Sequence, residues 1–153
     1  MAWLPCALVP GRVRQGFLSY FKIKEQRARN KDKEQNRMHN FRQLLIWKEG
    51  MAIAKAAYLM INDLPSLEKF GLISQISRCA VSVPSNIAEG SSRSSNKEFA
   101  HFLSIALGSL FELETQILLS VDLGFLAFEN VESLLSEIIQ LQKKIATFKK
   151  TLI

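Results

Sequence analysis

Residues 95–124, SNKEFAHFLSIALGSLFELETQILLSVDLG, carry both ends of a helix and the apolar face between them. Ser95 and Glu98 make the S-x-x-E pattern, in which a hydroxyl and a carboxylate satisfy backbone amides at a helix start. Gly124 is the residue type that takes the left-handed conformation just past a helix end. Counted at about 100° per residue from Phe99, the side chains of Phe99, Phe102, Leu103, Ala106, Leu110, Leu113, Ile117 and Val121 fall between about 300° and 40°. Leu107, Leu118 and Phe111 widen the arc to about 180°, more than one core seam requires. Either a neighbouring helix of the same bundle covers the extra surface or a second partner does. Glu114 lies inside the arc at about 60°, and an unpaired buried carboxylate costs several kcal/mol, so it needs a cation or hydrogen-bond donors.

Three further segments share the helical period. The first runs over about 42–62, with Leu44, Trp47, Met51, Ala54, Tyr58 and Ile61 at spacings of 3 and 4, and stops before Pro65. The second covers about 68–90 and the fourth about 128–150, where Glu129, Glu132 and Glu137 precede Lys143, Lys144, Lys149 and Lys150, in keeping with the helix dipole. No segment alternates with a period of two. With connections of about five residues, the expectation is an all-α protein, an antiparallel up-down four-helix bundle over residues 38–153. Pro84 removes an amide donor inside helix two and frees the carbonyl of Ala80, which predicts a kink.

Helix two also carries the principal polar pattern. Leu72, Ile76, Cys79, Val83 and Ile87 share one face, and Gln75, Arg78, Ser82, Asn86 and Glu89 form a stripe beside it. Such a stripe is an inter-helix hydrogen-bond network, a ligand-contacting surface or a solvated edge. As a network it would include Glu114, with Arg78 the expected partner of that carboxylate.

A length of 153 residues fits one domain, and 48% hydrophobic with 22% charged residues excludes a disordered or collagenous chain. Glu112 and Glu114 interrupt the best apolar run, around 103–119, short of the roughly 18 residues of a membrane span. Cys6 and Cys79, like His39 and His101, lie too far apart in sequence to write a zinc or thioredoxin-type motif. Neither histidine neighbours a plausible nucleophile, so no catalytic or metal-ligating residue, cofactor or small-molecule substrate is expected. His101 falls on the polar side of helix three and reads as solvated.

The net charge of +6 resides entirely in residues 1–37, where nine cations (Arg12, Arg14, Lys22, Lys24, Arg27, Arg29, Lys31, Lys33, Arg37) face Glu25, Asp32 and Glu34. Residues 38–153 hold 11 charges of each sign. The first 37 residues lack a core-forming pattern, and their uncharged, proline-broken start is not that of a secretory signal. They read as a basic N-terminal extension, disordered or spurious, with Met38 as the true start; the other reading is a basic arm for nucleic acid or anionic membrane. The loop 90–97, rich in serine, could hold a phosphate at a helix N-terminus or simply cap the helix.

Several stretches together resemble one family: Phe41-Arg-Gln-Leu-Leu-Ile-Trp47, Gly71-Leu-Ile-Ser-Gln-Ile-Ser-Arg78, Val81-Ser-Val-Pro-Ser-Asn-Ile-Ala-Glu-Gly90, Lys97-Glu-Phe99 and Ala106-Leu-Gly-Ser-Leu-Phe-Glu-Leu-Glu-Thr-Gln116. They are similar to the bacterial four-helix bundle proteins, also called the S23 or 23S rRNA intervening-sequence protein family. This family includes the accessory variability determinants of diversity-generating retroelements. The resemblance, over about residues 40–150, implies a cytoplasmic homopentamer without enzymatic activity that binds nucleic acid or a nucleic-acid enzyme. Candidate anion or nucleic-acid contacts are then Arg93, Lys97, Lys143, Lys144, Lys149 and Lys150, with the tail expected to dominate any affinity. A neutral bundle also suits a pure protein-interaction scaffold.

Overall fold

The computed structural model describes residues 25–26 and 40–153. The expectations for the basic segment 1–37 and for a start at Met38 lie outside these described residues. Within 40–153 there are four α-helices, three 3-10 turns and no strand. The helices are α1 (Leu45–Met60), α2 (Leu72–Ser91), α3 (Asn96–Asp122) and α4 (Phe128–Lys150).

Local chemistry sets most of the ends. Ser95 Oγ accepts the Glu98 amide at 3.2 Å, capping the start of α3, and donates to Glu98 Oε2 at 2.8 Å. At its other end Gly124 has φ +72°, the Gly124 amide donates to the Val121 carbonyl, and the Phe125 amide donates to the Ser120 carbonyl. These two bonds are the Schellman pair that only a left-handed residue permits. Helix α4 has the expected bounds.

The other two helices are shorter than expected. Helix α2 starts at Leu72, because Gly71 (φ −96°, ψ −117°) breaks helical geometry after the 3-10 turn Ser66–Phe70. Glu68 stands outside α2 and its Oε2 accepts the Leu72 amide at 3.1 Å, acting as a cap. Helix α1 starts at Leu45, since Leu44 is extended behind the Asn40-capped turn Phe41–Gln43.

Helix α1 packs on α2 and α4, α2 on α3, and α3 on α4. One core joins them, with Ile53, Ile76, Val83, Ile87, Leu103, Leu110, Leu113, Ile117, Ile138, Leu141 and Ile145 essentially sealed from water. Pro84 is buried within α2. Helix α3 reaches the length and mean hydropathy, 1.4, of a membrane-crossing helix. Its apolar face is instead the centre of this core, and Glu112 and Glu114 stand in its middle.

In α1 the expected series holds in part: Ala54 is in the core and Leu44, Trp47 and Ile61 pack against it, but the buried face is shifted. Ile46, Gly50, Ile53, Ala54 and Ala57 are buried, whereas Met51 and Tyr58 are each 46% exposed. Both series have helical spacing, and the smaller residues win because they allow closer approach. A Cβ on Gly50 would sit 3.3 Å from Val83 Cγ1. At the far end of α2, a Cβ on Gly90 would lie 2.7 Å from both Phe102 Cβ and Phe99 Cδ2, so α2 and α3 meet there with no room for a side chain.

Candidate functional site

The polar stripe of α2 divides into parts with different partners. Asn86 Nδ2 donates to the Ser82 carbonyl at 2.8 Å and to Ser82 Oγ at 2.9 Å. Ser82 Oγ lies 2.8 Å from Ser109 Oγ, and Ser109 Oγ donates to the Ile105 carbonyl at 3.1 Å. A hydroxyl has one proton. With the Ser109 proton on the Ile105 carbonyl, Ser82 is the donor to Ser109, and the relay then runs from Asn86 to Ile105. Ser109 came to light only in the structure, as a small residue at the edge of the apolar arc.

Cys79, one turn before Ser82, donates its thiol proton to Glu112 Oε2 at 3.1 Å. Burial first, and then the hydrogen bond and charge of Glu112, push the thiol from 9.0 up to about 11. The folded state therefore holds this proton more tightly than the unfolded chain. The associated stability is fully present below pH 9 and is lost as pH rises towards 11. Thermal melts at pH 8 and pH 10 should show a larger drop for the parent than for Cys79→Ala; equal drops would dismiss the contribution.

Gln75 and Arg78 are exposed and border a groove of about 580 Å³ that also holds Tyr58, Ser77 and Glu112. The expected Arg78–Glu114 pair does not form within the protomer. Glu114 Oε2 instead accepts from Gln142 Nε2 of α4 at 2.6 Å, and Gln142 is buried. The helical wheel placed Glu114 correctly against a neighbour but could not say which one. Gln142 carries its own signal: it follows Ile138 by 4 and precedes Ile145 by 3, a polar residue inside an apolar stripe.

Glu89 leaves the network altogether and ion-pairs with Arg93. This pair marks the second site. Arg93 and Lys97 line a groove of about 660 Å³ with Glu98, His101, Phe102, Ser104, Lys149 and Ile153. The Arg93 guanidinium lies over the Phe102 ring, 4.6 Å from its centroid, and the His101 ring meets Phe102 edge-on at 5.9 Å. Of the six candidate contacts, Arg93, Lys97 and Lys149 come together here. Lys144 is instead paired with Glu49 of α1, and Lys143 and Lys150 are exposed outside the groove. His101 and Phe102 were not read as site residues, although the spacing of 4 from Arg93 to Lys97 to His101 hints at a shared edge. The serines of the connecting loop serve local needs: Ser91 Oγ donates to Ala88, Ser92 Oγ donates to Glu89, and Ser95 caps α3.

Four helices around one core, with polar residues committed to inter-helix bonds and cations gathered at one groove, define a helical-bundle protein. The chain belongs to the family described as 23S rRNA-intervening sequence protein, whose profile matches residues 42–147. No curated protein matches the chain.

Proposed function

We propose that this chain is a non-enzymatic, homo-oligomeric bundle module of the cytoplasm that binds RNA through the groove of Arg93, Lys97 and Lys149. The observation that carries the reading is the convergence of these three cations with Phe102 and His101, on a bundle whose formal charges sum to zero. Phosphate binding needs such local concentration, because net charge conceals a patch. The RNA-related family supports the class of ligand.

An antiparallel up-down course is part of the proposal. Cys79 with Glu112 and Ser82 with Ser109 step in opposite directions along α2 and α3, which supports it. A bend at Pro84 belongs with it, since no amide is available there for the Ala80 carbonyl. Assembly, as a pentamer in our reading, is supported by apolar side chains that the protomer leaves uncovered, with Phe111 52% and Leu118 41% exposed beside Ile105 and Leu119.

The test is RNA affinity measured across a salt series with the full chain and with Arg93→Ala/Lys97→Ala/Lys149→Ala. Each lost single-strand phosphate contact lowers the slope of log K against log salt by about 0.7, so the triple variant should lose about 2. An unchanged slope and affinity would assign RNA contact to residues 1–37 and dismiss the groove. No salt-dependent binding by the parent would favour the scaffold reading.

A further inference from the structure

We infer that the stacked Arg93–Phe102 pair is a platform for one unpaired nucleobase, so that the groove selects single-stranded over duplex RNA; this rests on the RNA-binding reading above. The guanidinium lies over the ring of Phe102. Glu89 holds one of its amino groups, and its Nε is buried without a hydrogen-bond partner. The ion pair with Glu89 and the contact with Phe102 hold the guanidinium from two directions. The Arg93 side chain is nevertheless 39% exposed, so part of it remains open to a ligand. A guanidinium plane backed by an aromatic ring is a stacking surface for a base, which has a π-face whatever its identity.

The surroundings suit the phosphates that flank such a base. Lys97, in the first turn of α3, and Lys149, near the end of α4, line the same groove as the stack. The two acids nearby are already engaged, Glu89 by Arg93 and Glu98 by the Ser95 hydroxyl at 2.8 Å. A base stacked inside a duplex cannot reach the platform, whereas an unpaired base can be splayed onto it. The platform therefore contributes selectivity for unpaired RNA, and the lysines contribute affinity for any polyanion.

The test uses fluorescence anisotropy with the full chain and three probes: a single-stranded RNA, a blunt duplex containing the same sequence, and inorganic polyphosphate, which has no bases. Arg93→Lys keeps the charge and removes the plane, and Phe102→Leu removes the ring. Stacking worth about 1–3 kcal/mol per base corresponds to roughly 5- to 150-fold in affinity. The parent should prefer the single strand to the duplex, and Arg93→Lys should lose affinity by that factor for the single strand alone, with its salt slope unchanged. Arg93→Lys keeps a long cationic side chain at a half-buried position, so the result stands even where Phe102→Leu perturbs the fold. Equal binding of single strand and duplex, with Arg93→Lys like the parent on all three probes, overturns the platform and leaves RNA binding intact. Equal losses on RNA and polyphosphate overturn it as well, by reducing Arg93 to a charge. Absence of binding to every probe overturns the RNA reading and the platform together.

Discussion

Leu110→Ala should destabilise the protein by about 2–5 kcal/mol, while Phe111→Ala, one residue away, should change the stability of the protomer by under about 1 kcal/mol. Leu110 has no exposed surface and lies in the core on the α3 face that packs on α2 and α4. Truncation removes three heavy atoms from water-free packing and leaves a cavity that rigid neighbours fill only partly. Phe111 points away from this core and is 52% exposed, so most of its surface is solvated already. Denaturant midpoints at constant slope report both values. If the proposed assembly forms, Phe111→Ala weakens it, and the apparent loss grows with protein concentration and falls to that of the protomer on dilution. Equal destabilisation by the two variants at all concentrations would mean that the α3 face is assigned wrongly.

Alanine at two glycines of the same bundle should act with opposite signs. Gly90→Ala introduces a methyl group 2.7 Å from Phe102 Cβ and from the Phe99 ring. Phe102 Cβ is the root of its side chain, so relief requires α2 and α3 to separate, at about 1–3 kcal/mol, the usual range for overpacking. Gly108 lies inside α3 with nothing within 4 Å of the position a Cβ would take. Gly108→Ala meets only the backbone preference of the helix and should stabilise by about 0.5–1 kcal/mol. Thermal melts of the pair provide the check. A neutral Gly90→Ala would show that the helix contact yields more easily than its geometry implies.

The parts of the fold that were legible in the sequence are those decided by nearby residues. The Ser95 start of α3, the Gly124 cap and the bounds of α4 each depend on a few consecutive side chains, and they stand as read. The family was legible too, through motifs whose matched range nearly coincides with the bundle. In α1, two apolar series share one period, and the choice between them rests on how closely α2 approaches Gly50. That is a property of two helices, and no wheel of one helix contains it. The Glu114 partner was missed for a related reason: Glu112 and Glu114 lie about 200° apart around α3, and only the packed bundle shows that the first meets Cys79 of α2 and the second Gln142 of α4. The cationic groove joins the α2–α3 loop to the end of α4, residues more than fifty positions apart, so charge counting could rank its members but not assemble them.

The relay between α2 and α3 behaves like a wire with two unlike terminals. Its far end is closed, since the Ile105 carbonyl can only receive. Its near end is the amide of Asn86, whose nitrogen is spent on Ser82. With the Ser109 proton on the Ile105 carbonyl, each hydroxyl proton along the line is committed. Polarity of this kind is a property of the line as a whole rather than of any link. The amide oxygen of Asn86 can only accept, so the line can be lengthened from that terminal only by a group that brings a proton of its own.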